Sequence, residues 1–162
     1  MHKAEDIIQL LNLIPLEFEG GYFRQTYISE TVIQNRPVAT AIYYLITDEP
    51  KGFSRLHQLP IDEIWHFYLG DPVRLLILTE SGEGTQAVLG HNIFKGNFLQ
   101  YTVPAGTWQG ARLSKGGSWA LLGTTTAPGF LNEDFKLPDP IALNERYPRW
   151  KKEIAELLWT EK

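Results

Sequence analysis

The side chains able to do chemistry concentrate in two stretches. The first is His57-Gln-Leu-Pro-Ile-Asp-Glu63-Ile-Trp-His66-Phe-Tyr-Leu-Gly70, and the second, about forty residues on, is Pro104-Ala-Gly-Thr-Trp-Gln109. Two of the four His residues lie in the first, beside Asp62 and Glu63. Imidazole and carboxylate together either ligate a divalent metal or act as a general acid/base pair, and both uses require convergence on one cavity. Asp62 follows Pro60 closely and reads as a turn residue, which leaves Glu63 as the carboxylate of interest. The chain has no Cys, so disulfides, zinc–thiolate sites, iron–sulfur clusters and thiol nucleophiles are excluded together. His2 and His91 have no supporting neighbours and receive no role.

The elements that must position these groups are mostly strands. Short runs rich in Val, Ile, Tyr, Phe, Trp and Thr recur between turn residues. The candidates are 22–27, 39–46, 53–58, 64–69, 73–78, 86–89, 100–103, 109–113 and 118–126. Asp48-Glu-Pro-Lys-Gly52, Gly70-Asp-Pro72, Ser81-Gly-Glu-Gly84, Pro104-Ala-Gly106 and Lys115-Gly-Gly117 punctuate them. So many strands without intervening helices exclude a βαβ fold and predict an all-β sandwich or barrel. Apolar Ala4, Ile7, Ile8 and Leu11 predict a short helix over 3–12, and Trp150, Ile154, Leu157 and Leu158 a second one closing the chain, with Pro148 in its first turn. Period two leaves two possible inward sets near the site: Glu63, Trp65 and Phe67, or Ile64, His66 and Tyr68.

With 162 residues and neither a repeat nor a linker, one domain over 1–162 is expected. The net charge of −4, dispersed along the chain, argues against a nucleic-acid surface. No apolar run reaches the ~20 residues of a membrane helix. Met1-His-Lys-Ala-Glu-Asp6 does not read as a signal peptide, so a cytoplasmic protein is expected. Gly20-Gly21 suits a tight turn into a strand rather than a phosphate cradle, since no helix follows.

Glu63, six residues and Gly70 match the end of the first cupin motif, Gly-x5-His-x-His-x3-4-Glu-x6-Gly. His57 stands at its first His and Leu59 at its second. Pro104, Gly106 and Gln109 stand at the places of Pro-x-Gly-x2-His in the second motif, so a usual His is Gln. The chain resembles the cupin-five branch over nearly its whole length, through Glu19-Gly-Gly-Tyr-Phe-Arg24 with Thr26, Asp62-Glu-Ile-Trp-His-Phe67, Val103-Pro-Ala-Gly-Thr-Trp-Gln109, and Thr126-Ala-Pro-Gly-Phe130 with Asp134-Phe135. It departs at Glu17-Phe18, Gln25 and Ile28, where that branch usually has His-Pro, Glu and Arg.

The resemblance implies a double-stranded β-helix, or jelly-roll cupin barrel, to which the short N- and C-terminal helices read from periodicity are appended. It also implies a homodimer and a cavity sized for a small molecule. Architecturally it points to dTDP-4-dehydrorhamnose 3,5-epimerases, whose Arg-x-Leu-His segment is echoed by Arg55-Leu-His57. On that analogy the expected function is isomerase- or epimerase-like acid–base chemistry on a sugar or similar polar metabolite. His57 would be the general base and Glu63 its acid or orienting partner. Tyr22, Arg24, Trp65, Phe67, Trp108 and Gln109 are the candidate ligand contacts, the Trp rings as stacking platforms and Arg24 and Arg55 as partners for an anionic substrate. Two alternatives stand beside this. One is a metal-dependent enzyme with a divalent ion on His57, Glu63, Gln109 and His66, a set depleted relative to a three-His site. The other is a non-catalytic binding or sensing module. For His57 with Glu63 the simpler possibility is a buried structural pair, and for His66 a hydrogen-bonded wall position.

Overall fold

In the computed structural model, which describes residues 3–159, the chain runs through α1 (Ala4–Leu11), β1 (Ile14–Pro15), β2 (Tyr22–Ile28), β3 (Val32–Ile33), β4 (Arg36–Pro37) and β5 (Thr40–Thr47). It continues with β6 (Ser54–Gln58), β7 (Glu63–Gly70), β8 (Val73–Leu78), β9 (Gly84–Leu89), β10 (Gln100–Val103), β11 (Trp108–Leu113) and β12 (Trp119–Thr126). Helices α2 (Pro140–Arg146) and α3 (Lys151–Glu156) close it, separated by a 3-10 turn at Pro148–Trp150. His2 lies outside the described residues.

Two antiparallel sheets face each other. One has six strands in the order β1-β2-β5-β12-β7-β10, the other four in the order β6-β11-β8-β9. Neighbours distant in sequence, such as β12 between β5 and β7, make this a jelly roll rather than a meander. Side-chain alternation then builds three layers of core. Between the sheets lie Tyr44, Ile46, Trp65, Phe67, Val73, Leu75, Ile77 and Leu122 among others. On the outer face of the six-stranded sheet, Leu13, Leu45 and Leu121 receive Ile7, Ile8 and Leu11 of α1. On the outer face of the four-stranded sheet, Phe53, Leu56, Leu76 and Leu78 receive Leu143, Tyr147, Ile154 and Leu157.

The inward parity of β7 is therefore Glu63, Trp65 and Phe67, all buried, while Ile64 and His66 are partly exposed on the other side. Helix α1 forms where the apolar spacing puts it, with Glu5 and Asp6 in the first turn and the Asp6 carboxylate accepting from the Lys3 N–H at 2.8 Å.

Candidate active site

A cavity of about 260 Å³ opens between the sheets at one end of the barrel. Strand β2 contributes Phe23 and Gln25, β5 contributes Thr40 and Ile42, and β12 contributes Thr124 and Thr126. The polar cluster is Glu19, His57 and Glu63, and the segment after β12 supplies Phe130, Asn132 and Phe135.

Each member of the cluster has a definite support. His57 on β6 pairs directly with Gln109 on β11, and Glu63 on β7 pairs with Thr126 on β12. The His57 Nδ1 lies 2.8 Å from the Arg55 carbonyl oxygen, which can only accept, so Nδ1 carries the proton and Nε2 is the working nitrogen. That Nε2 stands 3.9 Å from Glu63 Oε2. The imidazole stacks on Phe135 with centroids 4.8 Å apart. Gln109 donates from Nε2 to Glu63 Oε2 at 2.7 Å and accepts at Oε1 from the Trp65 indole N–H at 2.8 Å.

Glu19 is the residue that sequence reasoning left out of the site. Its backbone is pinned by the Arg55 N–H to the Glu19 carbonyl, and its Oε1 accepts from the Ser54 hydroxyl at 2.6 Å. The two glycines after it make the placement possible. Gly20 and Gly21 have φ of +109° and +65°, and a Cβ on Gly20 would overlap the Phe53 carbonyl oxygen. The motif Glu-Gly-Gly was visible, and a turn that packs backbone against backbone beside a carboxylate was the available signal.

Burial holds the Glu19 carboxyl pKa above its ordinary value, and the neighbouring Glu63 pushes the same way against the opposing pull of His57 and Ser54. For His57 burial disfavours the cation most strongly. The Glu19 carboxylate, with Glu63 and the Arg55 carbonyl, outweighs it and holds the imidazole pKa above its ordinary value. The charge of both carboxylates thus favours the imidazolium, whose Nε2 is 3.9 Å from Glu63 Oε2.

Several sequence-predicted contacts lie elsewhere. Tyr22 and Arg24 alternate with Phe23 on β2 and so face outward: the Tyr22 hydroxyl donates to Glu49 at 2.8 Å, and the Arg24 guanidinium lies over the Tyr43 ring at 5.4 Å. Arg55 lies over the Trp159 ring at 4.3 Å. Trp65 and Phe67 face inward, but within the packed core beyond the cavity. Trp108 is on the outer face of the smaller sheet against the C-terminal helices. Gln109 is buried and acts on the cavity only through Glu63. His66 is on the outer face of the larger sheet, 3.1 Å from Thr125 Oγ1 and stacked on Tyr68, and burial lowers its pKa. It cannot join His57 and Glu63 around an ion.

Two facing antiparallel sheets with this strand order, and a polar cluster between them, define a jelly-roll cupin. The chain belongs to the family described as Cupin superfamily (DUF985), whose profile matches residues 5–138. A solved structure of a protein from Shewanella oneidensis is 34% identical, with a TM-score of 0.88 covering 99% of this chain and 100% of that one. A hypothetical protein from Leishmania major is 29% identical, with a TM-score of 0.87 over 98% and 100%. A variant of oxalate decarboxylase from Bacillus subtilis shares the fold alone, at 17% identity and a TM-score of 0.53, covering 89% of this chain and 37% of that one. No curated protein matches the sequence.

The residues around this cavity also test the metal-dependent alternative, a divalent ion on His57, Glu63, Gln109 and His66. The donor set argues against it. Leu59 offers no ligand atom, and both ends of the Gln109 amide are already engaged, by Trp65 and Glu63. Among the described residues no group of three or more His, Asp or Glu side chains is arranged to hold a metal ion.

Proposed function

We propose that the cavity performs acid–base chemistry at carbon, as an isomerase or epimerase acting on a small polar metabolite. The observation that carries this is the Glu19–His57–Glu63 cluster set in an otherwise largely apolar cavity. His57 and Glu63 are buried and Glu19 is half-buried beside them; ionisable groups are seldom placed so without a use, and perturbed pKa values cluster at functional sites. At about 260 Å³ the cavity lies just below the ~300–1,000 Å³ common for ligand sites, which suits a molecule of monosaccharide size.

The pKa directions support a division of labour that reverses the one expected from the epimerase analogy. A carboxylate made more basic by burial is the better base, and an imidazolium stabilised by two carboxylates is the resident acid. Glu19 removes a proton from the carbon next to a carbonyl, while His57 Nε2–H protonates the carbonyl oxygen. The product of that step is a neutral enol. Glu19, now protonated, returns its proton to the former carbonyl carbon while the neutral His57 takes the hydroxyl proton of the adjacent carbon, which gives the isomer. Return by Glu19 to the opposite face after the enol turns over in the cavity, with His57 recovering the enol proton, gives the epimer. Neither route changes atoms or electrons overall. Glu63, held by Gln109, steadies the imidazolium.

Incubating the protein in D₂O with a panel of small aldoses, ketoses and their amino analogues, and following the α-carbon by NMR, tests this directly. Deuterium should appear at that carbon, and the rate should fall at least ~100-fold in both Glu19→Gln and His57→Gln. A molecule that binds and is returned unlabelled by the unaltered protein would replace catalysis with the binding-module reading.

A further inference from the structure

Charge is distributed unevenly around the cavity. Two carboxylates, Glu19 and Glu63, face one imidazole, and no Lys or Arg side chain lines the cavity among the described residues. Arg36, which holds the segment that supplies Phe130 and Phe135, is spent on a neighbour. Its Nη1 and Nη2 donate to the Asp134 carboxylate at 2.6 and 2.8 Å, and Nη1 also donates to the Gly129 carbonyl at 2.9 Å. Arg24 and Arg55, the two candidates for an anionic substrate, stand over Tyr43 and Trp159 on the outer faces of the two sheets. An anion entering the cavity would lose its hydration beside two carboxylates, with His57 already shared between them.

The apolar part of the lining points the same way. Phe18 lies parallel to Phe130 at 6.4 Å and meets Phe135 edge-on at 4.9 Å, and Phe135 continues the stack onto His57. Phe23 adds a further ring to the lining. Phe18 is 38% exposed and belongs to the open side of the cavity, whereas Glu63 is buried. Aromatic faces attract cations through the ring quadrupole, and a carboxylate behind the rings supplies a fixed counter-charge.

We infer that the cavity selects a small organic cation, a protonated amine of about monosaccharide size, over neutral and anionic molecules of the same shape. The inference rests on the reading of this cavity as a ligand site. It deepens the acid–base reading as well. An amine next to the reacting carbon would place its ammonium toward Glu63, and its positive charge would make the adjacent C–H more acidic.

A matched set separates charge from shape: cyclohexylamine, cyclohexanol and cyclohexanecarboxylate, each titrated against the full chain at pH 7.5 by calorimetry and thermal shift. The amine should bind at least ~10-fold more tightly than the alcohol and raise Tm, and the carboxylate should produce no shift. Glu63→Gln should weaken the amine ~10-fold or more, and by a clearly larger factor than it changes the alcohol, whose retained binding reports a folded cavity. Should that variant fail to fold, the comparison of the three probes on the unaltered protein decides alone. Equal or tighter binding of the carboxylate overturns the inference, and so does the absence of binding by all three. Selective amine binding without deuterium exchange in any amino analogue leaves the cation preference standing and removes only the catalytic reading.

Discussion

An indole N–H can only donate, so Trp65 obliges Gln109 to turn its carbonyl oxygen inward and leaves the amide N–H to face Glu63. This one constraint fixes where the Glu63 carboxylate stands against His57. Gln109→Leu keeps the size but strands a buried indole N–H and a carboxylate oxygen, which should cost about 1–3 kcal/mol. Denaturant titration measures it, and an unchanged midpoint would show that the bridge is idle. His57 gives a second expectation, in pH. Its folded pKa is above the unfolded value of about 6.5, so the folded chain holds that proton more tightly than the unfolded one. The stabilisation is complete below about pH 6.5 and is lost as pH rises through the folded value. His66, lowered by burial, acts in the opposite sense and below that window, and Glu19 acts in the same sense as His57 from its own lower range. Stability should therefore decline as pH rises above about 6.5 and decline less in His57→Gln; a wild-type curve that is flat or climbing there would contradict the pairing.

The segment from Ala127 to Lys136 closes one side of the cavity, and its hold is electrostatic as much as apolar. Arg36 reaches it from the hairpin of β3 and β4, whose Gln34 and Asn35 have φ of 51° and 62° in the two-residue turn. The Gly129 N–H donates to the Pro37 carbonyl, and the Phe130 N–H donates to Thr40 Oγ1 at 3.0 Å. Burial alone would raise the Asp134 pKa, but Arg36 and the Leu131 N–H outweigh it and hold it below the usual carboxylate range. Such a depressed pKa stabilises the fold above about pH 3.9, and that contribution is lost as pH falls through the folded value. Asp134→Asn should cost about 1–3 kcal/mol at pH 7 and speed hydrogen exchange at the Gly129 and Phe130 amides. Unaltered exchange at those two amides would mean that the strap is held by its aromatic contacts alone. These features also show where sequence reading stops. All nine strands expected from residue type recur within a few residues, because alternation and turn residues are local properties. The strands β1, β3 and β4, two residues each, and helix α2 have too few residues to show a period. Motif spacing located His57, Glu63 and Gln109, yet it could not say that Tyr22 and Arg24 point away, since strand parity is set by which sheet face packs. Nor could it bring Glu19 to His57, a meeting made by backbone contacts between 16–21 and β6.

At the scale of the molecule the barrel is a filling between two helical covers, and the covers are unequal. Helix α1 contributes partly buried side chains over Leu45 and Leu121, whereas the C-terminal helices bury Leu143, Tyr147, Ile154 and Leu157 outright. The family profile ends at residue 138, before this second cover begins. Yet β6, which carries His57, is an edge strand of the smaller sheet. Its outer side is completed by the Leu56 N–H donating to the Leu157 carbonyl at 2.9 Å and by the Arg55 N–H donating to Glu19. Tyr147 adds a hydroxyl bond to the Thr79 carbonyl at 2.6 Å, and Arg112 one to the Glu156 carbonyl at 2.7 Å. The C-terminal cover therefore both buries an apolar sheet face and occupies an edge that would otherwise pair with another chain. Ile154→Ala should cost about 2–5 kcal/mol. A chain ending at residue 138 should leave Phe53, Leu56, Leu76 and Leu78 uncovered and be recovered as aggregate in size-exclusion chromatography. If the shortened chain instead stayed monodisperse, with its Tm unchanged, the position of β6 and of His57 would be set by the two sheets alone. The C-terminal helices would then be passengers on the fold rather than part of what holds the site together.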